Sequence, residues 1–216
     1  MRGVFVTGTD TGVGKSVVAA TILAASAEPA AALKPVVTGL DDPAGEWPHD
    51  HVLLARATGG RQSPEEVAPY RFGPPVSPHY AAELAGQKIE PARIVDAARA
   101  HDLLVCEGIG GLMVPITTGY LVRDLAIDLG LAVVIAARTG LGTINHTLLT
   151  IAAARAAGLG VAAVVMTPWP EDPEPIERSN RETIERLGEV AVHGLPHTDP
   201  ESLAEAGRSL PLEDWL

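Results

Sequence analysis

Residues 4–16 read Val-Phe-Val-Thr-Gly-Thr-Asp-Thr-Gly-Val-Gly-Lys-Ser, an apolar strand running into a glycine-rich loop that closes on Gly-Lys-Ser. A helix-forming run from Val17 to Ala25 follows directly. Strand, glycine-rich turn and helix make the layout of a phosphate-binding P-loop, in which backbone N–H groups face an anion over the helix N-terminus. Gly12 and Gly14 let the backbone turn those groups inward. In this layout Lys15 reaches the β- and γ-phosphates, and the Ser16 hydroxyl is a Mg²⁺ ligand. The usual pattern has four residues between its two glycines. Here Gly8 and Gly14 have five between them, and Thr9 stands where the first glycine belongs.

Outward from the loop, short β-branched runs alternate with helical patterns. Strands are expected over 3–7, 31–37, 102–106, 131–137, 161–166 and 189–195. Helices are expected over 15–27, 50–58, 78–86, 91–100, 121–129, 143–157, 174–187 and 199–206. Buried apolar strands alternating with helices predict an α/β fold: a mostly parallel sheet flanked by helices, P-loop nucleoside triphosphate hydrolase-like, forming one domain over 1–216. Ligands of such sheets collect at the carboxyl ends of the strands, and the candidate residues below all fall there.

Composition narrows the function classes. The chain has 216 residues, 46% apolar with few aromatics, which suits one α/β core rather than a disordered or fibrous protein. A net charge of −11 argues against nucleic acid or an acidic membrane as partner, and means that an anionic nucleotide must be held by local cations and a metal. The single cysteine, Cys106, rules out an internal disulfide and is expected to be an inert core residue. No signal peptide or membrane span is expected, since the apolar run after Met1-Arg2 is short and Glu28-Pro29 breaks the Ala-rich stretch 17–33. A cytoplasmic protein is the expectation.

The 16 basic residues include only three lysines, Lys15, Lys34 and Lys88. Two of them sit at strand ends, in Gly-Lys-Ser and in Leu33-Lys-Pro-Val-Val-Thr-Gly39. A compact ammonium suits contact with a phosphoryl oxygen or an amine, where a broad guanidinium would not fit. A metal also needs carboxylates. The run from Asp102 to Gly111 is an apolar strand ending in Glu107 and a second glycine-rich turn, a layout whose strand-end acid holds Mg²⁺ directly or through water. Glu107 takes the place of the more usual Asp. In His49-Asp50-His51, at the start of a helical run, positions two apart diverge. Asp50 is therefore read as an oxygen ligand and both imidazoles as surface residues.

Five motifs together resemble one family. Gly8-Thr-Asp-Thr-Gly-Val-Gly-Lys-Ser16, Lys34-Pro-Val-Val-Thr-Gly39, Ser77-Pro-His79, Glu107-Gly-Ile-Gly-Gly111 and Gly140-Leu-Gly-Thr-Ile-Asn-His146 occur in the order seen in dethiobiotin synthetases. The resemblance covers nearly the whole chain, and the five-residue loop spacing is that family's own variant. It implies ATP- and Mg²⁺-dependent closure of a ureido ring on 7,8-diaminononanoate with CO₂ or bicarbonate, a late step of biotin synthesis. It implies catalytic roles for Lys15, Lys34 and Thr11, and maps Mg²⁺ onto Ser16, Asp50 and Glu107. Nucleotide contacts are implied for Gly12, Val13, Gly14, Lys15, Ser16, Val17, Asp50, Glu107, Gly108, Ile109 and Gly110. The diamine and its carbamate fall to Thr11, Lys34, Thr38 and Gly111. The substrate's tail carboxylate fits the helix start at Gly142, Thr143, Ile144 and Asn145, where backbone N–H groups and the helix dipole favour an anion. In family members that site comes from the neighbouring subunit, which implies a homodimer.

One stretch departs from the family. Many members carry an Asn after the strand corresponding to 161–166, and its amide reads adenine. Here Val164-Val-Met-Thr-Pro-Trp169 puts Met166 or Thr167 in that place. An amide can both donate to and accept from a base edge; a thioether cannot, and a hydroxyl does so incompletely. Base recognition is then expected from Thr167 and from backbone groups of Gly194, Leu195, Pro196 and His197, with nucleoside triphosphates other than ATP as alternatives. Two rival readings share the sheet and loop. An amidoligase of the cobyrinic acid synthase type usually adds a glutaminase domain, for which 216 residues leave no room. A nucleotide-switched partitioning or targeting ATPase usually has a second lysine early in the loop, where this chain has Thr9-Asp10-Thr11.

Overall fold

A computed structural model describes residues 1–216. β1 (Arg2–Gly8) runs through the glycine-rich loop into α1 (Lys15–Ala25), which returns to β2 (Ala31–Leu33). A lateral excursion follows, through β3 (Val36–Val37), α2 (Asp50–Ala57), α3 (Pro64–Val67), β4 (Tyr70–Arg71), α4 (Pro78–Leu84) and α5 (Pro91–Arg99). The chain re-enters the sheet at β5 (Leu103–Glu107), makes the hairpin β6 (Pro115–Thr117) and β7 (Tyr120–Leu121), and continues into α6 (Val122–Leu129). The units β8 (Ala132–Ala137), α7 (Thr143–Ala156), β9 (Val161–Trp169), α8 (Pro175–Gly188), β10 (Val192–Pro196) and α9 (Leu203–Ala206) complete it.

Six strands form one parallel sheet in the order β10-β9-β8-β1-β5-β2. Alternate side chains leave a strand on opposite faces, so a strand covered on both sides reads as one continuous apolar run. Phe5, Leu104, Cys106, Val133, Ile135 and Met166 enter one core. Their neighbours Val4, Val6, Val105, Val134, Ala136 and Val165 enter a second core, shared with α1. β1 is central, flanked by β5 and β8; the connection after β1 runs to the β5 side and the one after β8 to the opposite side, which opens a crevice at their carboxyl ends. Register places Val6 beside Glu107 and Gly8 beside Ala136, which brings the loop and the strand-end acid to one level.

The expected strand over 31–37 is two strands. Pro35 has no N–H to offer a ladder, and the chain leaves the main sheet there. β3 then pairs in parallel with β4 in a separate ladder, Val36 with Tyr70 and Val37 with Arg71. The expected helix over 199–206 keeps only its last turn. The Asp199 carboxylate accepts from the backbone N–H groups of Glu201 and Ser202 at 3.0 and 2.9 Å, which holds a turn where the helix was expected to begin. β9 outlasts its expected end, pairing Trp169 with Pro196. No helix is long and apolar enough to cross a membrane.

Candidate functional site

The loop after β1 is shaped by glycines at positive φ, Gly12 at 70° and Gly14 at 88°. Gly14 lies at the N-cap of α1, where the first amides of the helix have no partner of their own. Side chains hold the loop from both flanks. The Asp10 carboxylate accepts from the Thr11 amide at 2.7 Å, Lys15 Nζ donates to the Asp10 carbonyl at 2.8 Å, and Arg138 donates to the Thr11 carbonyl at 3.2 Å.

Next to the loop, four polar side chains from distant parts of the sequence meet. Ser16 Oγ lies 2.7 Å from Asp50 Oδ1 and 2.9 Å from Glu107 Oε1. Lys34 Nζ donates to Asp50 at 2.7 Å, to Glu107, and to the Gly108 carbonyl at 3.2 Å. The Glu107 side chain is fully buried, whereas that of Asp50 is 41% exposed. Glu107 Oε2 is buried with no hydrogen-bond partner. Ser16, Asp50 and Glu107 thus converge as hard oxygen donors, one carrying a spare buried lone pair, and they fit the requirements of Mg²⁺.

Burial and charge act against each other throughout this cluster. Burial disfavours the Lys34 ammonium, but the Asp50 and Glu107 carboxylates outweigh it and hold its pKa above the ordinary lysine range. Burial likewise opposes ionisation of Asp50, and Lys34 overcomes it, bringing the acid down to about 2. For Glu107 burial wins over the attraction of Lys34, and its pKa is raised. Lys15 is lowered by burial, partly offset by Glu107. Lys34 is therefore a fixed cation at neutral pH rather than a proton acceptor.

A cavity of about 600 Å³ opens over these groups. It is lined by Thr11, Gly12, Gly14, Lys15, Ser16 and Val17 of the loop and by Lys34, Thr38, Asp50, Glu107, Ile109 and Gly110. The twelve remaining expected contacts divide differently. Val13 and Leu195 are buried in the core and can offer only backbone. Gly108 lies behind the cavity, its carbonyl taken by Lys34 and its amide by Val6. Gly111, Thr167, Gly194, Pro196 and His197 do not line it, nor do residues 142–145. Conversely, Trp47, Pro48, Val76, Ser77 and Val114 line the cavity. Of these, only Ser77 carries a sequence signal, through its Ser-Pro-His motif; the others are apolar residues in loops whose position only the fold reveals.

Between the two candidates Met166 and Thr167, both within β9, the structure separates the roles. Met166 is fully buried in the core, while Thr167 leans on the loop: a Cβ on Gly14 would fall 2.6 Å from Thr167 Cγ2. Trp169 covers Gly194, where a Cβ would come within 2.5 Å of the indole, and Arg181 lies 5.5 Å from the indole centroid. At the start of α7, Gly142 has φ 92°, and the amides of Ile144 and Asn145 make no hydrogen bond within the chain. Asn145 is exposed and makes no cap. Asn180 of α8 fixes the preceding turn by donating to the Thr139 and Gly140 carbonyls at 2.9 and 3.2 Å.

The expectation for His51 fails. His51 is not a surface residue but 7% exposed, with Nδ1 unpartnered, because α2 turns the face carrying positions 51 and 54 inward. His49 stays half-exposed at the N-cap of α2. Cys106 is fully buried, and burial pushes its thiol pKa up, as an inert core residue requires.

A family model described as an AAA domain matches residues 2–200. The chain is 43% identical over 217 residues to the ATP-dependent dethiobiotin synthetase BioD of Anaeromyxobacter dehalogenans (strain 2CP-C), covering 97% of this chain and 96% of that one. It is 45% identical over 221 residues to the biotin biosynthesis bifunctional protein BioCD of Bordetella avium (strain 197N), covering 100% of this chain and 44% of that longer protein. Among solved structures, a ParA family ATPase from Chlorobium tepidum TLS superposes with a TM-score of 0.55 at 13% identity, over 97% of this chain and 90% of that one. That likeness concerns the fold alone.

Proposed function

This chain belongs to the ATP-dependent dethiobiotin synthetases, enzymes of biotin biosynthesis, and on that premise we propose a specific chemistry for its cavity. The substrates are 7,8-diaminononanoate, CO₂ and a nucleoside triphosphate. One amine attacks the carbon of CO₂, forms an N–C bond and releases a proton, leaving a carbamate. A carbamate oxygen then takes the γ-phosphoryl group as the bond to the diphosphate breaks. The second amine attacks the carbonyl carbon of this mixed anhydride, expels phosphate and loses a proton, closing the ring.

The observation that carries this reading is the buried Lys34 ammonium, held by Asp50 and Glu107 in the same cavity as Lys15, Thr11 and Thr38. Each amine must be neutral to attack, and adjacent ammonium groups depress the pKa of a bound diamine. As the phosphoryl group moves, the same ammonium groups face negative charge on the carbamate and on the anhydride. Lys15 leaves the Asp10 carbonyl to meet the phosphates, and the amides around Gly12 and Gly14 cradle them. Thr11 and Thr38 offer hydroxyls to the amines and the carbamate. Ser16, Asp50 and Glu107 would hold Mg²⁺, whose charge helps to neutralise the phosphoryl oxygens.

Two further parts of the proposal lie outside this cavity. The free amides of Ile144 and Asn145 are suited to the tail carboxylate of a diamine bound in a neighbouring copy, which makes the enzyme a homodimer. At the base end, Thr167 and the backbone of Gly194 to His197 replace the amide side chain that reads adenine in many relatives.

Incubation with the diamine, bicarbonate and Mg-ATP tests the reading. ATP hydrolysis is expected to depend on the diamine and to yield dethiobiotin. Diamine-independent hydrolysis with no dethiobiotin would overturn it in favour of a nucleotide switch.

A further inference from the structure

Part of the cavity wall carries no charge and has no role in the scheme above. Trp47 and Pro48, on the loop just ahead of Asp50, line the cavity together with Val36, Val76, Pro78 and Val114. Trp47 is half-buried and packs against the core shared with α1, so its indole is anchored rather than free in solvent. The loop after β3 is also tied down. Gly39, Leu40 and Asp41 donate their amides to the carbonyls of Pro74, Phe72 and Gly73 at 3.1, 3.2 and 3.0 Å. The Asp41 carboxylate covers Gly73 so closely that a Cβ there would lie 2.2 Å from Oδ1. Proline lacks an N–H, and Trp, Val and Pro side chains together offer the indole N–H as their sole strong donor. This wall is therefore a poor host for ordered water.

The reaction needs such a wall. If water attacks the mixed anhydride at its carbonyl carbon or its phosphorus, the acyl phosphate bond breaks and phosphate leaves without a ring. The diamine is then free to be carboxylated and phosphorylated again, so the net change is ATP plus water giving ADP and phosphate. We propose that Trp47 screens the mixed anhydride from bulk water and thereby couples ATP consumption to ring closure. This rests on the ring-closing reading given above. Trp47 suits the task because the loop that carries it leads directly into Asp50, at the phosphoryl end of the cavity, and because it shares the cavity lining with Lys15, Ser16 and Glu107.

The test measures phosphate and dethiobiotin in the same reactions, with wild type, Trp47→Ala and Trp47→Phe at saturating diamine, bicarbonate and Mg-ATP. Wild type is expected to release the two in nearly equal amounts. Trp47→Ala is expected to release severalfold more phosphate than ring, with the excess vanishing when diamine or bicarbonate is omitted. Trp47→Phe, which keeps a large aromatic screen, should restore the ratio towards equality. A merely structural role would lower both products together. Equal release by Trp47→Ala, or an excess that persists without the diamine, overturns the inference while leaving the synthetase reading intact. Absence of dethiobiotin from the wild-type reaction would instead overturn that reading, and this inference with it.

Discussion

The phosphate end of the cleft and the end proposed for the base are built differently. At the first, a few charged side chains and glycine-shaped amides meet at 2.7–3.2 Å: Lys34 with Asp50 and the Gly108 carbonyl, Ser16 with Asp50 and Glu107. At the second, Thr167 rests on Gly14 and Trp169 on Gly194 through shape, with the Arg181 guanidinium over the indole. Triphosphates look alike whatever base they carry, so the first end can be fixed by charge. The second must discriminate through a base edge, and here neither Met166 nor Thr167, near the carboxyl end of β9, carries a side-chain amide. On the proposed function, this difference makes phosphate capture and base choice separable properties.

The largest expected effect breaks the phosphate end. Lys34→Met should lower kcat by at least about a thousandfold, roughly 4 kcal/mol of lost transition-state stabilisation. It should also lower the melting temperature, because Asp50 and Glu107 then face each other without the ammonium between them. Lys15→Ala should cost about a hundredfold or more in kcat. Its effect on melting should be smaller, since Lys15 Nζ bonds only the Asp10 carbonyl. Steady-state kinetics and thermal melts on both variants check the contrast; a near-normal turnover in either removes that lysine from the mechanism.

A smaller effect concerns the metal. Glu107→Gln keeps the size of the side chain but removes its charge, and the Mg²⁺ concentration for half-maximal rate should rise at least about tenfold. A magnesium titration of wild type and variant measures it, and an unchanged midpoint would take Glu107 out of the metal site.

The mildest effects belong to the base end. ATP, GTP, CTP and UTP measured side by side should bind within about a hundredfold of each other, roughly 2.7 kcal/mol. Thr167→Asn should sharpen the preference for ATP by about tenfold, or ~1.4 kcal/mol, by restoring an amide next to Gly14. A wild-type preference for ATP beyond a hundredfold would overturn the expectation of weak base discrimination.

The same division governs what the sequence revealed. Gly8 to Ser16, Lys34 and Glu107 stood out because glycines, lysines and an acid at strand ends break the apolar pattern, and the structure brings Lys15, Ser16, Lys34 and Glu107 to one cavity. The sheet was legible because strands buried on both faces must be continuously apolar. The break at Pro35 was missed because Leu33 to Val37 keeps a strand-like pattern through a residue that cannot continue the ladder. His51 was misplaced because the surface of a short helix depends on what packs against it, which spacing alone does not tell. Trp47, Pro48 and Val114 carry no motif; they enter the cavity through loops tied in place by backbone hydrogen bonds. The base end was visible only as a departure, and the fold was needed to decide that Thr167 faces the loop while Met166 fills the core.

The central claim is that this cavity builds a ureido ring from CO₂, and carbon labelling tests it most directly. Wild-type protein given the diamine, Mg-ATP and ¹³C-bicarbonate should produce dethiobiotin labelled at the ureido carbonyl, seen by mass spectrometry and ¹³C NMR, and Lys34→Met should produce almost none. ATP consumed at the wild-type rate with no labelled ring would contradict the account.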